Sequence, residues 1–317
     1  MRHIDISVVI PLYNESEVFE FLIERLNKLK SNLLNKEVEF VLIDDGSSDD
    51  TPLLMSKLAF QDHFYQCIFL SRNFGHSKAI SAGLMYAKGK EAIFIMDGDL
   101  QDPPELLTDF YLKLKEGYDV VYAIRKERKE SKFKVALYYI FYRLLSRISE
   151  IDLPHDSGDF SLISRRVLNI INKMPEQDRY LRGMRTWVGF KQCGIEYIRD
   201  HRHSGNTKYS FKELINLAYN GIFNFSIIPI KILTFLGFTA IVVSCTFFTY
   251  SVILRLKTEA VPSGYTSLLF FMVLFGGIQL ISLGIIGEYV VRIFNQVKKR
   301  PLFVIKEHID NKIIVNK

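Results

Sequence analysis

The 317-residue sequence has no charged residue from Ile232 to Leu254 and none from Tyr265 to Gly287, although 24% of the whole chain is charged. Each uncharged run exceeds the ~20 residues that an α-helix needs to cross the hydrocarbon core of a bilayer. Phe235, Phe247, Phe248, Phe270 and Phe271 leave neither run a polar stripe to turn toward water, which argues against two helices of a soluble core. Cysteine is scarce: Cys67, Cys193 and Cys245 are odd in number, lack metal-ligand spacing, and Cys245 lies inside the first run. That excludes a disulfide framework and a zinc module and predicts free, reduced thiols. The chain has no Walker or Rossmann glycine fingerprint, no internal repeat, no Gly/Ser linker and no nucleic-acid motif behind its modest net charge of +6. The opening apolar run, Ile6 to Pro11, is too short for a signal peptide.

The connection from Arg255 to Gly264 is too short to hold a domain, so the two runs read as a transmembrane hairpin, about 232–254 and 265–290. Lys231 precedes it and Arg292, Lys298, Lys299 and Arg300 follow it, against Arg255 and Lys257 in the connection. The positive-inside rule then puts both chain ends in the cytoplasm. Just before the hairpin, Leu214, Leu217, Ala218, Ile222 and Phe225 recur at three- and four-residue spacing, with Asn216, Asn220 and Asn224 on another face. This is the pattern of an amphipathic helix lying in the interface. The expected domains are a cytoplasmic catalytic part over 1–210, a juxtamembrane helix over 211–230, and over 231–317 the hairpin with a basic tail. The partners this organisation implies include the lipid bilayer and exclude nucleic acid.

The first half alternates strand-like and helix-like segments in the manner of an α/β parallel sheet. Strands are expected at Ile6–Pro11, Val38–Ile43, Cys67–Leu70, Ala92–Met96 and Tyr118–Ile124. Helices are expected over 18–29, over 53–58 behind an N-capping Thr51, and over 77–88, stopped by Gly89. Polar clusters follow the strands at Tyr13–Glu15, Asp44–Ser47, Arg72–Gly75 and Asp97–Gln101. In an open parallel sheet those carboxyl ends are where ligands bind.

The run DGDLQDPPE, Asp97 to Glu105, is the most informative of these clusters. Two carboxylates one residue apart at the end of a buried strand repel each other unless a cation joins them. Mg²⁺ or Mn²⁺ takes such oxygen ligands and completes its shell with substrate phosphates. The bland alternative is a solvated acidic turn capping the helix that Pro103 and Pro104 begin.

Pro11-Leu12-Tyr13-Asn14-Glu15, Asp44-Asp45-Gly46-Ser47-Ser48-Asp49 and DGDLQDPPE, in this order and spacing, resemble the GT-A fold of the glycosyltransferases of family two. The likeness extends over Ser71-Arg72-Asn73-Phe74-Gly75, Gly158-Asp159-Phe160, the stretch Arg202 to Tyr209, the two apolar runs and Gly287-Glu288-Tyr289. Together these are similar to the membrane-anchored polyprenyl-phosphate glycosyltransferases, the group of dolichol-phosphate mannose synthases and bactoprenol glucosyltransferases. The resemblance implies that Pro11, Tyr13, Glu15, Asp45, Arg72 and Asp97 line a nucleotide sugar. It makes Asp99 the principal metal ligand, with Asp97 and Gln101 beside it. Arg125 would meet phosphate or sugar, Arg202 and Lys208 would close over the phosphates, and Asp159 would be a base or an orienter on the acceptor side. Ser161 stands where related sequences often carry Arg. The activity implied is inverting transfer of a hexose from a UDP-sugar to a polyprenyl phosphate by a homo-oligomer, a tetramer by resemblance; glucose is favoured, with N-acetylhexosamine, galactose, mannose from a GDP donor and aminoarabinose left open.

Two rival readings fit less well. A processive synthase of the same fold carries a Q-x-x-R-W segment and more spans, whereas the sole tryptophan, Trp187, follows Thr186. A catalytically dead scaffold would not need Asp97, Asp99, Gln101, Asp159, Arg202 and Lys208 together. Glu288, four residues before Arg292, reads as half of an interfacial ion pair.

Overall fold

The computed structural model describes residues 3–33, 36–125, 157–197, 228–258 and 264–316. They fall in two compact units, Met1–Ala218 with Arg300–Lys317, and Tyr219–Lys299.

The first unit is built on one sheet. Its strands are β1 (Ile6–Leu12), β2 (Val38–Asp44), β3 (Tyr65–Leu70), β4 (Ala92–Ile95), β5 (Val120–Arg125), β6 (Ser157–Ser164), β7 (Gln192–Tyr197), β8 (Ile305–Asp310) and β9 (Ile313–Asn316), in the spatial order β7-β5-β6-β4-β1-β2-β3-β8-β9. The pairings β1 with β2 and β4, β2 with β3, and β5 with β7 are parallel. Only β6 and β8 run against the others. β1, β2 and β3 are buried along their whole length, which explains why they read as continuous apolar runs rather than alternating ones.

Helices α1 (Phe19–Asn32), α2 (Thr51–Gln61), α3 (His76–Tyr86), α4 (Leu107–Lys115), α5 (Arg165–Ile171) and α6 (Leu181–Trp187) flank the sheet. Alternate residues of one strand serve two cores: Val8 and Ile10 join the apolar cluster that receives Leu22 and Leu26, while Val9 joins the cluster of Ala79 and Ile80. Each face of the sheet is thereby closed by helices.

Two local expectations change. Thr51 is the first residue of α2 rather than its cap, and its hydroxyl accepts the N–H of Glu15 at 3.0 Å, tying the helix to the loop after β1. Gly89 does not stop α3, whose last turn closes with the Ala87 N–H on the Gly83 carbonyl. Glycine is required at 89 for proximity: a Cβ there would lie 2.5 Å from the backbone nitrogen of Ser7.

The larger correction concerns the chain end. The residues after Arg300 read as a basic tail of the hairpin domain, but β8 pairs antiparallel with β3 and β9 follows it, so they complete the catalytic sheet. Ile309 is fully buried there, and the Gln66 amide meets His308 Nε2 at 2.7 Å. Charged residues flank each apolar residue in this short stretch, which hid the strand.

The second unit contains α7 (Ile228–Thr258) and α8 (Tyr265–Val297), so both uncharged runs are helical. Among the described residues one stretch, Leu274–Val297, is long and apolar enough to cross a membrane. The hydroxyls of Thr234, Thr239, Thr246, Thr249 and Ser282 donate to carbonyls four residues back. Such bonds satisfy those hydroxyls inside the helix. Glu288 and Arg292 pair at 3.0 Å, as their spacing suggests. The expected juxtamembrane helix lies outside the described residues, except for its last positions from Ile228, which open α7. Cys67 is buried, Cys193 half-buried and Cys245 exposed, all free.

Candidate active site

Three loops at the carboxyl ends of neighbouring strands are wired together. The Asp45 N–H donates to the Leu12 carbonyl at 2.9 Å. The Asn14 N–H donates to Ser47 Oγ at 2.9 Å, and the Ser48 N–H donates back to Asn14 Oδ1 at 2.8 Å. The Asp45 carboxylate reaches the third loop, accepting the N–H groups of Phe74 at 2.8 Å and Gly75 at 2.9 Å. Gly46, at φ +71°, makes this approach possible, because a Cβ would strike the Arg72 backbone at 2.4 Å. Burial raises the Asp45 pKa, while the two N–H bonds work to keep it ionised.

Of the residues expected to line a nucleotide sugar, Pro11 is buried in β1 and Tyr13 is exposed just beyond it. Glu15 is half-buried. Arg72 is exposed, with its guanidinium 4.2 Å over the Phe74 ring.

After β4 the chain turns through Leu100, at φ 61°, and Gln101 donates its N–H to Asp99 Oδ1 at 3.2 Å. Asp99 is buried and Asp97 half-buried. Asp102 is pinned from the far edge strand, where Tyr197 Oη donates to its Oδ1 at 2.6 Å. Arg125 closes β5 in register with that same Tyr197.

Asp159 enters on β6, the strand beside β4. Arg182 of α6 grips it, Nε to Oδ1 at 3.1 Å and Nη2 to Oδ2 at 3.3 Å. His76, the first residue of α3, presents Nε2 at 3.6 Å from Asp159 Oδ2 and 3.4 Å from Asp97 Oδ1. Burial would raise the Asp159 pKa, but Arg182 and His76 outweigh it and hold the carboxyl well below the usual range. Burial likewise opposes a charged His76, and Asp97 and Asp159 push its pKa up to about 9. Behind Asp159, the buried guanidinium of Arg185 donates Nη1 to the Gly158 carbonyl at 3.4 Å, while its Nε and Nη2 have no hydrogen-bond partner among the described residues. Burial pushes its pKa down to about 10.

The structure therefore brings Asp97 and Asp159 together through His76. Arg202 and Lys208 lie outside the described residues. His76, Arg182 and Arg185 escaped the sequence reading. His76 follows directly on the Arg72–Gly75 cluster and could have been added to it, whereas the arginines of α6 carry no local signal.

A sequence profile of glycosyl transferase family 2 matches residues 7–171. The chain belongs to glycosyl transferase family 2. It is 42% identical over 317 residues to the uncharacterized glycosyltransferase YkcC of Bacillus subtilis (strain 168), covering 98% of this chain and 97% of that one. It is 38% identical over 305 residues to the prophage bactoprenol glucosyl transferase homolog of Escherichia coli (strain K12), covering 95% and 98%. Among solved structures, the mannosyltransferase PcManGT from Pyrobaculum calidifontis, in complex with GDP-Man and Mn2+, aligns at a TM-score of 0.49 and 14% identity over 94% of this chain and 87% of that one. That likeness is too loose to carry function across. As a family 2 glycosyltransferase, the protein is an enzyme with a GT-A-like fold.

Proposed function

We propose that this glycosyltransferase transfers glucose from UDP-glucose to a polyprenyl phosphate at the cytoplasmic face of the membrane, with inversion at the anomeric carbon. The observation that carries the reading is the end-to-end match to proteins named bactoprenol glucosyl transferase, from Escherichia coli and, at 36% identity over 95% of this chain, from Shigella phage SfII.

The donor set at the end of β4 fits a hard divalent cation. Asp97, Asp99 and the Gln101 amide offer oxygen within one turn. Among the described residues no cluster of three His, Cys, Asp or Glu side chains forms a complete cage. Mg²⁺ is commonly held by one or two protein carboxylates with substrate phosphates completing the shell, so two carboxylates suffice. When bound, the cation supplies charge neutralisation for the departing diphosphate.

The acceptor is a phosphate, already ionised near neutral pH, so it needs orientation more than deprotonation. Asp159, held by two cationic side chains, suits an orienting role better than that of a base. Arg125, Arg202 and Lys208 would clamp the phosphates and align the anions. In the displacement, an acceptor oxygen forms a bond to the anomeric carbon as the bond to the nucleoside diphosphate breaks, and the configuration inverts.

The sheet also supports a two-helix hairpin. β3 and β8 are neighbours, yet α7 and α8 lie between them in sequence. A folded sheet sits on one side of a bilayer, so the chain between must cross an even number of times. Leu274–Val297 as one span calls for a second, and α7 is the long apolar helix available among the described residues. Among the described residues a Cβ at Gly276, Gly277, Gly284 or Gly287 would meet nothing within 4 Å. This leaves that face open for packing between subunits, in keeping with a homo-oligomer such as a tetramer.

The test is nucleotide release by the purified protein in lipid nanodiscs, using UDP-glucose, UDP-GlcNAc, UDP-galactose and GDP-mannose with and without polyprenyl phosphate. The reading requires UDP release from UDP-glucose that depends on the lipid phosphate. Release from another donor alone would overturn the sugar, and lipid-independent release would overturn the acceptor.

A further inference from the structure

The loop that precedes α3 is fixed from three directions. The Asp45 carboxylate holds the N–H groups of Phe74 and Gly75, and the Asp45 backbone is itself bonded to Leu12. Ser71 donates its N–H to the Val304 carbonyl at 2.9 Å, which brings in the returning chain end. Gly75 takes φ 96°, and α3 begins at the next residue. Everything that immobilises this loop therefore fixes the backbone of His76.

The imidazole so placed stands between two carboxylates from different parts of the sheet. Asp97 belongs to the loop after β4, on the metal and donor side. Asp159 belongs to β6, on the acceptor side. Nε2 lies 3.4 Å from the first and 3.6 Å from the second, and Arg182 takes the other flank of Asp159. Without a donor between them, two carboxylates facing one space repel, and each turns toward water or another cation. His76 is nearly half exposed, so it stands at the surface of the loop cluster rather than filling the core.

We propose that His76 is a positioning residue for the glycosyl transfer, joining the donor and acceptor halves of the site by holding Asp97 and Asp159 toward each other. The inference rests on the transfer reaction proposed above. It differs from a purely structural role in what it predicts. α3 buries Ala79, Ile80, Ala82 and Leu84 beneath the sheet whatever residue stands at 76. Loss of the imidazole should therefore spare the fold and misalign the carboxylates.

The experiment uses the full chain in nanodiscs, with His76→Ala, His76→Gln and Asp159→Asn. Misplacement of a reacting group by about an ångström costs on the order of 100-fold, so kcat of His76→Ala should fall by roughly that factor while KM for the UDP-sugar stays within about threefold. His76→Gln keeps an N–H donor at nearly the same reach and should recover at least about tenfold of that loss. A kcat for His76→Ala within threefold of wild type, or a Gln variant no better than Ala, overturns the proposal.

A second readout needs no turnover. In ligand-free protein, the shifts in thermal midpoint from His76→Ala and Asp159→Asn should be non-additive, because the two groups share one interaction. Additive shifts overturn the inference. If wild type makes no product with any donor, the transfer reading fails and the melting cycle still decides whether His76 and Asp159 are coupled.

Discussion

Ser71, at the end of β3, donates its N–H to the carbonyl of Val304 at 2.9 Å, so a site loop is built on residues that follow α8 in sequence. The catalytic sheet closes only after the chain has passed through α7 and α8. Ile309, fully buried on β8, is where this closure can be probed. Ile309→Ala should cost about 2–5 kcal/mol, the usual range for truncating a buried isoleucine, and lower the Tm of the detergent-solubilised protein by several degrees. An unchanged Tm would mean that β8 does not belong to the folded catalytic unit.

Asp99→Ala should reduce turnover by at least ~10³-fold, roughly 4 kcal/mol of barrier, through loss of a cation ligand. Circular dichroism and membrane insertion should match wild type, because Asp99 belongs to the loop after β4 and to no strand or helix. EDTA should abolish activity in wild type, and Mg²⁺ or Mn²⁺ should restore it. Full turnover in EDTA would exclude the metal assignment.

Asp159→Asn should slow turnover less than Asp99→Ala does. Arg182 and His76 hold Asp159 ionised across the working range, and an acceptor phosphate brings its own charge. The rate of wild type plotted against pH should show no acidic limb that disappears in Asp159→Asn. A limb lost with this substitution would identify Asp159 as a base.

At the amino end of β4, Glu91 binds Lys36 and Lys115, each at 2.7 Å, and the Tyr111 hydroxyl. Burial raises its pKa, and these three partners outweigh burial and lower it to about 2. A carboxyl with a depressed folded-state pKa adds stability that is complete above its unfolded value, about 4.3, and is lost as pH falls toward its folded value. Thermal unfolding followed from pH 6 to pH 2 should show Tm falling most steeply below about pH 4.5, and less steeply in Glu91→Gln. Parallel curves would remove Glu91 from the acid response.

The sequence made legible whatever depends on local pattern. β1 to β4 each carry an apolar run followed by a polar cluster, and the cluster after β4 stands out by placing Asp97 and Asp99 one residue apart. Residues whose meaning depends on distant partners stayed hidden. Arg182 is one charge in a mixed stretch until α6 sets it against Asp159, and His76 is an ordinary helix start until β4 and β6 bring their carboxylates to it. Asp45 has a structural task that its local pattern does not show, its two oxygens tying the loop after β3. β8 was obscured because Lys306, Glu307, His308 and Asp310 surround its apolar residues, and its partner β3 lies far from it in sequence.

The most direct measurement is the mass of the lipid formed when the purified full-length protein, in nanodiscs with undecaprenyl phosphate and Mg²⁺, receives UDP-glucose. The account predicts a new species heavier than the acceptor by one anhydrohexose, released UDP in equal amount, and neither product in Asp99→Ala. An unmodified lipid beside active hydrolysis of UDP-glucose, or a hexose chain that grows on a single acceptor, would contradict it.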